Sequence, residues 1–180
     1  MIENSHHILP QTILVEWFER SLVIVEDDCS VNSIIPLINN AIAEAVAIQY
    51  SGHNEKHIVI LLKDKSADYL SEEGLQFLTN ILKACSLTLK DIAIVNIYHQ
   101  KNINYNQLKE KLSMNACISF GITPAEIDIF SSFSLFEVGI YSNTSFVFAP
   151  ELMEMNANTS ESKILKAKLW KSLQKLFNIN

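Results

Sequence analysis

Arginine is almost absent from this chain, and its scarcity limits what the chain can bind directly. Arg20 is the only arginine among 14 basic residues, and the formal net charge is −6. Because the guanidinium group is the preferred partner of phosphates and base edges, an acidic chain that lacks it is a poor autonomous nucleic-acid binder. We therefore expect any contact with nucleic acid to be indirect, through a protein partner.

Glycine, proline and charged residues are also scarce. The 180 residues include four glycines and four prolines, 19% are charged and 48% are hydrophobic, which excludes long disordered segments and supplies one core. A phosphate-binding turn needs glycines between a strand and a helix, and the candidate turn Lys63–Asp68 has none. The sequence thus indicates no nucleotide or other cofactor.

The cysteines and the apolar runs bear on metal sites and compartment. Cys29, Cys85 and Cys117 lie far apart and no C-x-x-C spacing is present, so we predict buried free thiols and no metal site. The polar N-terminus lacks a signal-peptide pattern, and Glu44 interrupts the longest apolar run. We predict a cytoplasmic protein without a membrane segment.

Short apolar runs alternate with amphipathic stretches from residue 57 onward. We predict strands at 57–62, 92–97, 116–120, 135–140 and 145–148, and helices at 71–85, 105–112 and 160–177. Strand–helix–strand repeats with short loops predict a largely parallel sheet covered by helices on both faces, a three-layer α/β/α sandwich. We assign residues 21–180 to this single domain, with an N-terminal arm at 1–20, a strand at 22–25 and a helix at 36–47.

Polar residues near the ends of two predicted strands are the candidates for chemistry. Asp64 and Asp68 follow strand 57–62, and His99 follows strand 92–97; ligands of α/β sheets bind at such strand ends. The two aspartates could act as a general base or a metal pair, or be solvated loop carboxylates. His99 could be a general base or a ligand to phosphate, or a surface or structural residue. Asn96 either points at a ligand or satisfies a neighbouring backbone group. Without a G-x-S-x-G elbow or an activated cysteine, a binding module is favoured over an enzyme.

Two segments are candidate interaction surfaces. Leu14, Trp17 and Phe18 are large apolar residues of the N-terminal arm, and they would either anchor a protein partner or pack on the core. The last helix carries a predicted apolar stripe of Ile164, Leu165, Leu169, Leu173, Leu176 and Phe177. Its other residues include Lys163, Lys166, Lys168, Lys171 and Lys175, either a basic strip for an acidic partner or the solvated face of a covering helix.

Segments between residues 57 and 177 resemble the uracil-DNA glycosylase superfamily. Glu73-Gly74-Leu75 through Asp91–Asn96 resembles its second helix and strand, and Ile118–Gly121 with Pro124-Ala125 resembles its next strand and glycine turn. The stretch Lys168–Leu173 is similar to its last helix. This resemblance implies a fold of the same type.

The departures from that superfamily concern its catalytic loops. Lys63–Asp68 stands where active members have a Gly-Glu-x-Pro-Gly-like loop, and Ala149-Pro150-Glu151 stands where they have a His-Pro-Ser-like loop. In these respects the chain resembles the non-catalytic psi-subunit family of bacterial DNA polymerase III. That resemblance implies an assembly subunit whose arm docks on a clamp loader and whose body binds a chi-like subunit. The alternatives are a divergent glycosylase-like hydrolase using Asp64 or Asp68 with His99, and a small-molecule-binding α/β domain.

Overall fold

Five strands form one mixed sheet in the computed structural model, which describes residues 48–100 and 102–179. The strands are β1 (Ile58–Leu62), β2 (Ile92–Asn96), β3 (Ala116–Phe120), β4 (Val138–Tyr141) and β5 (Thr144–Ala149). Their order across the sheet is β2-β1-β3-β5-β4; the first four are parallel and β4 is antiparallel to β5. The predicted α/β class and the largely parallel sheet are confirmed.

Among the described residues, four α-helices and one 3₁₀ helix accompany these strands, and two of the α-helices follow β5. They are α1 (Glu72–Ala84), α2 (Tyr105–Leu112), α3 (Leu152–Asn156), α4 (Ser160–Phe177) and the 3₁₀ helix Pro124–Ile127. Asn104 and Thr159 each cap the helix that follows through a reciprocal capping box, which fixes where α2 and α4 begin. Ser71 precedes α1, and its side chain makes no capping hydrogen bond.

Two hydrophobic clusters lie on opposite faces of the sheet, because successive strand side chains point to opposite sides. Ile58, Ile60 and Leu62 of β1 belong to one cluster, which also contains residues of α1, α3 and α4. Val59 and Leu61 belong to the other, which contains residues of α2 and the 3₁₀ helix. All five residues of β1 are buried, as expected of a strand in the interior of a parallel sheet.

Two details of the predicted elements are wrong. The strand expected from residue 135 starts at Val138, because Phe136 adopts a left-handed conformation, with φ 63°, that ends strand geometry there. Ile164 was expected in the apolar stripe of α4 but is 57% exposed. It lies roughly 100° around the helix from Leu165, whose side chain is half-buried against the core.

Several predictions lie outside the described residues. These are the arm at 1–20, the strand at 22–25 and the helix at 36–47, so the domain boundaries stay predictions. No helix within residues 48–100 and 102–179 combines the length and the apolar character needed to cross a bilayer.

Candidate functional site

The loop after β1 is closed by its own carboxylate. Asp64 Oδ1 accepts hydrogen bonds from the backbone N–H (2.8 Å) and the hydroxyl (2.6 Å) of Ser66, and Oδ2 accepts one from the N–H of Ser71 (2.8 Å). Short aspartate side chains commonly bond the backbone two residues on, which tightens a turn. The bond to Ser71 carries this turn to the start of α1, so Asp64 ties both ends of the loop together.

Asn96, the last residue of β2, fastens the same loop to the neighbouring strand. Its Oδ1 accepts from the backbone N–H groups of Asp64 (3.0 Å) and Tyr98 (3.0 Å). Its Nδ2 donates to the carbonyls of Asp64 (2.7 Å) and Ala67 (2.9 Å). The residue is 0% exposed, and both donors and both acceptor sites of its amide are engaged by the backbone.

These hydrogen bonds set the ionisation of Asp64. Partial burial would raise its pKa, but the bonds from Ser66 and Ser71 to the carboxylate outweigh burial and lower the pKa from 3.8 to about 2. A general base works best with a pKa near the working pH. At neutral pH Asp64 is thus an ionised structural carboxylate with low proton affinity.

The other two catalytic candidates lie at the surface near this loop. Asp68 and His99 are both exposed. The His99 ring meets Tyr98 edge to face, with ring centroids 5.0 Å apart, and Lys65 Nζ lies 5.7 Å from the centroid of the Tyr98 ring. The structure therefore joins Asp64 to Asn96 by hydrogen bonds and places Asp68 and His99 in solvent.

The gap between the β1 loop and the segment after β5 is small. Lys63, Asp64 and Leu70 line it on one side and Glu151 and Met153 on the other, and its volume is about 20 Å³. Glu151 also lies against Gly121, where an added side chain would meet its Cγ atom. A space of this size holds about one water molecule.

A larger cleft opens on the other side of Lys63. It has a volume of about 460 Å³, which is within the usual range for small-molecule sites. Lys63 forms an ion pair with Glu126 across it. The cleft is lined by Lys63, Ile97, Gln100, Asn102, Ile103, Asn104, Glu126 and Asp128.

Most polar groups of this cleft already have partners within the protein. The Gln100 amide exchanges hydrogen bonds with the backbone of Gln49 and donates to the Asn96 carbonyl. The Asn104 side chain caps α2. Glu126 accepts from the N–H and the hydroxyl of Thr123; burial would raise its pKa, but the bonds from Lys63 and Thr123 lower it. The cleft is thus a polar surface with a mixed charge.

The residues of this cleft were not among the predicted site residues. A capping-box signal was present, because Thr123 is followed three residues later by Glu126, and a helix start at Pro124 could have been read from it. Asp128, with φ 57°, ends that 3₁₀ helix in the left-handed conformation that aspartate tolerates. The pattern predicts the local turn but not its approach to Lys63.

Two of the three cysteines predicted as buried free thiols lie within the described residues. Cys85 and Cys117 are buried free cysteines, and burial raises the pKa of both thiols. Cys29 lies outside the described residues. Among residues 48–100 and 102–179, no group of three or more histidine, cysteine or acidic residues is placed to hold a metal ion.

The lysines of α4 do not share one surface. Lys163, Lys171 and Lys175 are exposed, as is Lys168. Lys166 instead turns toward α1, where its Nζ lies 5.2 Å from the centroid of the Phe77 ring. The predicted arm anchors Leu14, Trp17 and Phe18 lie outside the described residues.

No protein-family model matches the chain, and no curated protein is significantly similar to it.

Proposed function

We propose that this chain is a non-catalytic assembly subunit of the psi type, built on a three-layer α/β/α fold like that of the uracil-DNA glycosylases. The mostly parallel sheet and the hydrophobic clusters on both of its faces support the fold proposal. The N-terminal arm, with Leu14, Trp17 and Phe18, docks on a clamp-loader-type partner. The body, residues 21–180, binds a chi-like subunit.

The 20 Å³ gap between the two strand-end loops is the observation that carries this proposal. In the superfamily that the sequence resembles, the loops at these two places bind and cleave the base. A pyrimidine is several times larger than the single water molecule that such a gap holds. Enzymes that act on a base must take it into a pocket, so the narrow gap favours a binding role over base excision.

The hydrogen bonding of Asp64 and Asn96 supports the same role. Their polar side-chain atoms hold the loop after β1 in its closed form, and the lowered pKa of Asp64 opposes its use as a base. Opening the loop enough to admit a base would break several of these bonds, each with a net value of about 1 kcal/mol.

Exposed apolar side chains of the body fit the partner-binding role. Phe130 is 88% exposed in the segment after the 3₁₀ helix, and Leu135 is 58% exposed a few residues later. Large aromatic side chains are enriched among residues that dominate protein interfaces. In this account Phe130 contacts the chi-like subunit, and the arm contacts the clamp loader.

The test measures binding of the full-length chain to the purified clamp-loader complex of its source organism. Trp17→Ala with Phe18→Ala should weaken binding about 1,000-fold, because aromatic anchors each contribute about 2 kcal/mol. Phe130→Ala is the matched control and should leave clamp-loader binding unchanged. Equal binding by all three proteins, or no binding by the unmodified chain, contradicts the proposal.

A second candidate function is small-molecule binding in the 460 Å³ cleft, favoured by its size and its position at the carboxyl ends of β1 and β2. A thermal-shift screen of metabolites tests it. A true ligand should stabilise the unmodified chain and fail to stabilise Lys63→Met, since the stabilisation follows ligand concentration over affinity. Equal increases in melting temperature for both proteins would show that the compound binds outside this cleft.

A further inference from the structure

The outer edge of β4 is unpaired among the described residues, because β4 ends the strand order and pairs only with β5. Natural sheets protect such edges with lysine, proline or bulges. The strand Val138–Tyr141 contains neither lysine nor proline, and its Ile140 side chain is 75% exposed. Within residues 48–100 and 102–179, this edge is therefore free to pair with another strand.

Hydrogen bonds of β5 reveal which of its backbone groups face β4. The N–H of Ser145 donates to the Asn115 carbonyl (3.0 Å), and the N–H of Gly121 donates to the Ala149 carbonyl (2.9 Å). Odd-numbered residues of β5 thus direct their backbone groups toward β3. Because these directions alternate along a strand, the even-numbered residues direct theirs toward β4.

The same alternation identifies the free groups of β4. Phe146 is even-numbered and lies opposite Gly139, so Gly139 directs its backbone groups inward to β5. Its neighbours Val138 and Ile140 therefore direct their N–H and C=O groups outward. Each of these two residues offers one donor and one acceptor at the open edge.

We propose that β4 pairs antiparallel with β4 of a second copy of this chain, about a two-fold axis at Gly139. In this register Val138 lies opposite Ile140 of the second copy, and the two residue pairs form four hydrogen bonds. A shift by two residues would bring Phe136 (φ 63°) or Ser142 (φ 44°) into the ladder, and neither has strand geometry. The register centred on Gly139 is therefore the one that uses both outward residues.

Side chains fit this register on both faces of the sheet. Val138 packs against the cluster that contains α4 residues, and Ile140 points to the same face. The pairing places Ile140 of each copy against Val138 of the other and covers its exposed surface. On the opposite face, the ring of Phe133 occupies the space where a Cβ atom of residue 139 would lie. Glycine therefore fits at this position, and no side chain of Gly139 projects from that face.

Charges also fit, because Glu137 lies opposite Tyr141 of the second copy in this register. The two Glu137 residues are then four positions apart along the strands, about 13 Å, so like charges do not meet. The interface is small, with one four-residue strand from each copy, and we expect a weak dimer whose population rises with concentration.

Sedimentation of the full-length chain over a concentration series tests the pairing. Ile140→Pro removes only an outward donor, a position where edge strands tolerate proline, whereas the hairpin bonds of Gly139 stay intact. It should raise the dimer dissociation constant about 30-fold, because two of the four bonds between copies are lost. Ile140→Lys should also give monomers, by placing charge at the edge.

Ile164→Lys is the matched control, since Ile164 is an exposed isoleucine on α4, and it should leave the dimer unchanged. Circular dichroism and thermal unfolding confirm that each variant is folded. Isotope-filtered nuclear Overhauser effects between Val138 and Ile140 methyl groups of different copies would establish the register. A chain that stays monomeric into the millimolar range overturns the proposal, as does a dimer that Ile140→Pro leaves intact.

Discussion

Replacing Asn96 with leucine removes four hydrogen bonds while nearly preserving the shape of the side chain. The carboxamide accepts from two backbone N–H groups and donates to two backbone carbonyls, and all four partners belong to the loop after β1 or to the segment after β2. If the role of Asn96 is to hold this loop, the chain should lose stability. If its role is to contact a ligand, stability should change little.

The expected loss follows from the burial of these bonds. Asn96 is 0% exposed, and each hydrogen bond has a net value of about 1 kcal/mol. Asp64 and Ala67 are half-buried, so water can reach some of the freed backbone groups, and the apolar leucine recovers part of the loss. We expect the free energy of unfolding to fall by about 3 kcal/mol, a large share of the 5–15 kcal/mol that is typical of a domain.

Urea unfolding of the full-length protein measures this change. The midpoint should fall while the m-value stays constant, and the melting temperature should fall by about 6–12 °C. Asn106→Leu, at an exposed position of α2, is the control and should change the free energy by less than about 0.5 kcal/mol. A loss below about 1 kcal/mol for Asn96→Leu would refute the structural role.

Other predictions concern pH, backbone conformation and thiol reactivity. Because the pKa of Asp64 is lowered from 3.8 to about 2 on folding, its contribution to stability is fully present above pH 4 and is lost as the pH falls through 2. The difference in unfolding free energy between the unmodified chain and Asp64→Asn should therefore shrink as the pH falls from 4 to 2. If the unfolding free energies of the two proteins instead change in parallel with pH, the lowered pKa of Asp64 is contradicted. Gly52→Ala should destabilise the chain by about 1–3 kcal/mol in urea unfolding, because φ is +106° and the new Cβ would lie 2.9 Å from the Leu89 carbonyl oxygen; an unchanged midpoint would contradict this. In a Cys29→Ser background, a thiol reagent should modify Cys85 and Cys117 only after denaturant is added, since both are buried. Rapid native-state labelling of either would show that the core opens there.

The strands and helices that the sequence predicts well are those with a local signal. Continuous apolar runs mark β1, β2 and β3, and the predicted limits of α2 and α4 agree with the structure, where Asn104 and Thr159 provide the caps. The short helix α3 was missed because it spans five residues and its N-cap residue, Glu151, makes no side-chain capping bond. Such a segment depends on tertiary packing, which a single-sequence pattern does not contain.

The position of the candidate site was predicted, and the hydrogen bonds of Asn96 agree with the structural one of its two predicted roles; the structural role of Asp64 was not predicted. Parallel strands bring Asp64 and Asn96 to the same edge of the sheet, and position along the sequence is enough to predict that. Their hydrogen bonds depend on the conformation of the intervening loop. The 460 Å³ cleft could not be predicted, because Lys63, Asn104 and Asp128 come from three separate segments and meet only in the folded chain.

Affinity capture from native cell extract tests the assembly role most directly, with full-length bait beside bait lacking residues 1–20. The account predicts that clamp-loader proteins are recovered with the full-length bait and lost with the truncated one, while circular dichroism shows that the truncated body keeps its fold. Clamp-loader proteins that are absent from both captures, or that are equally abundant in both, would contradict the account.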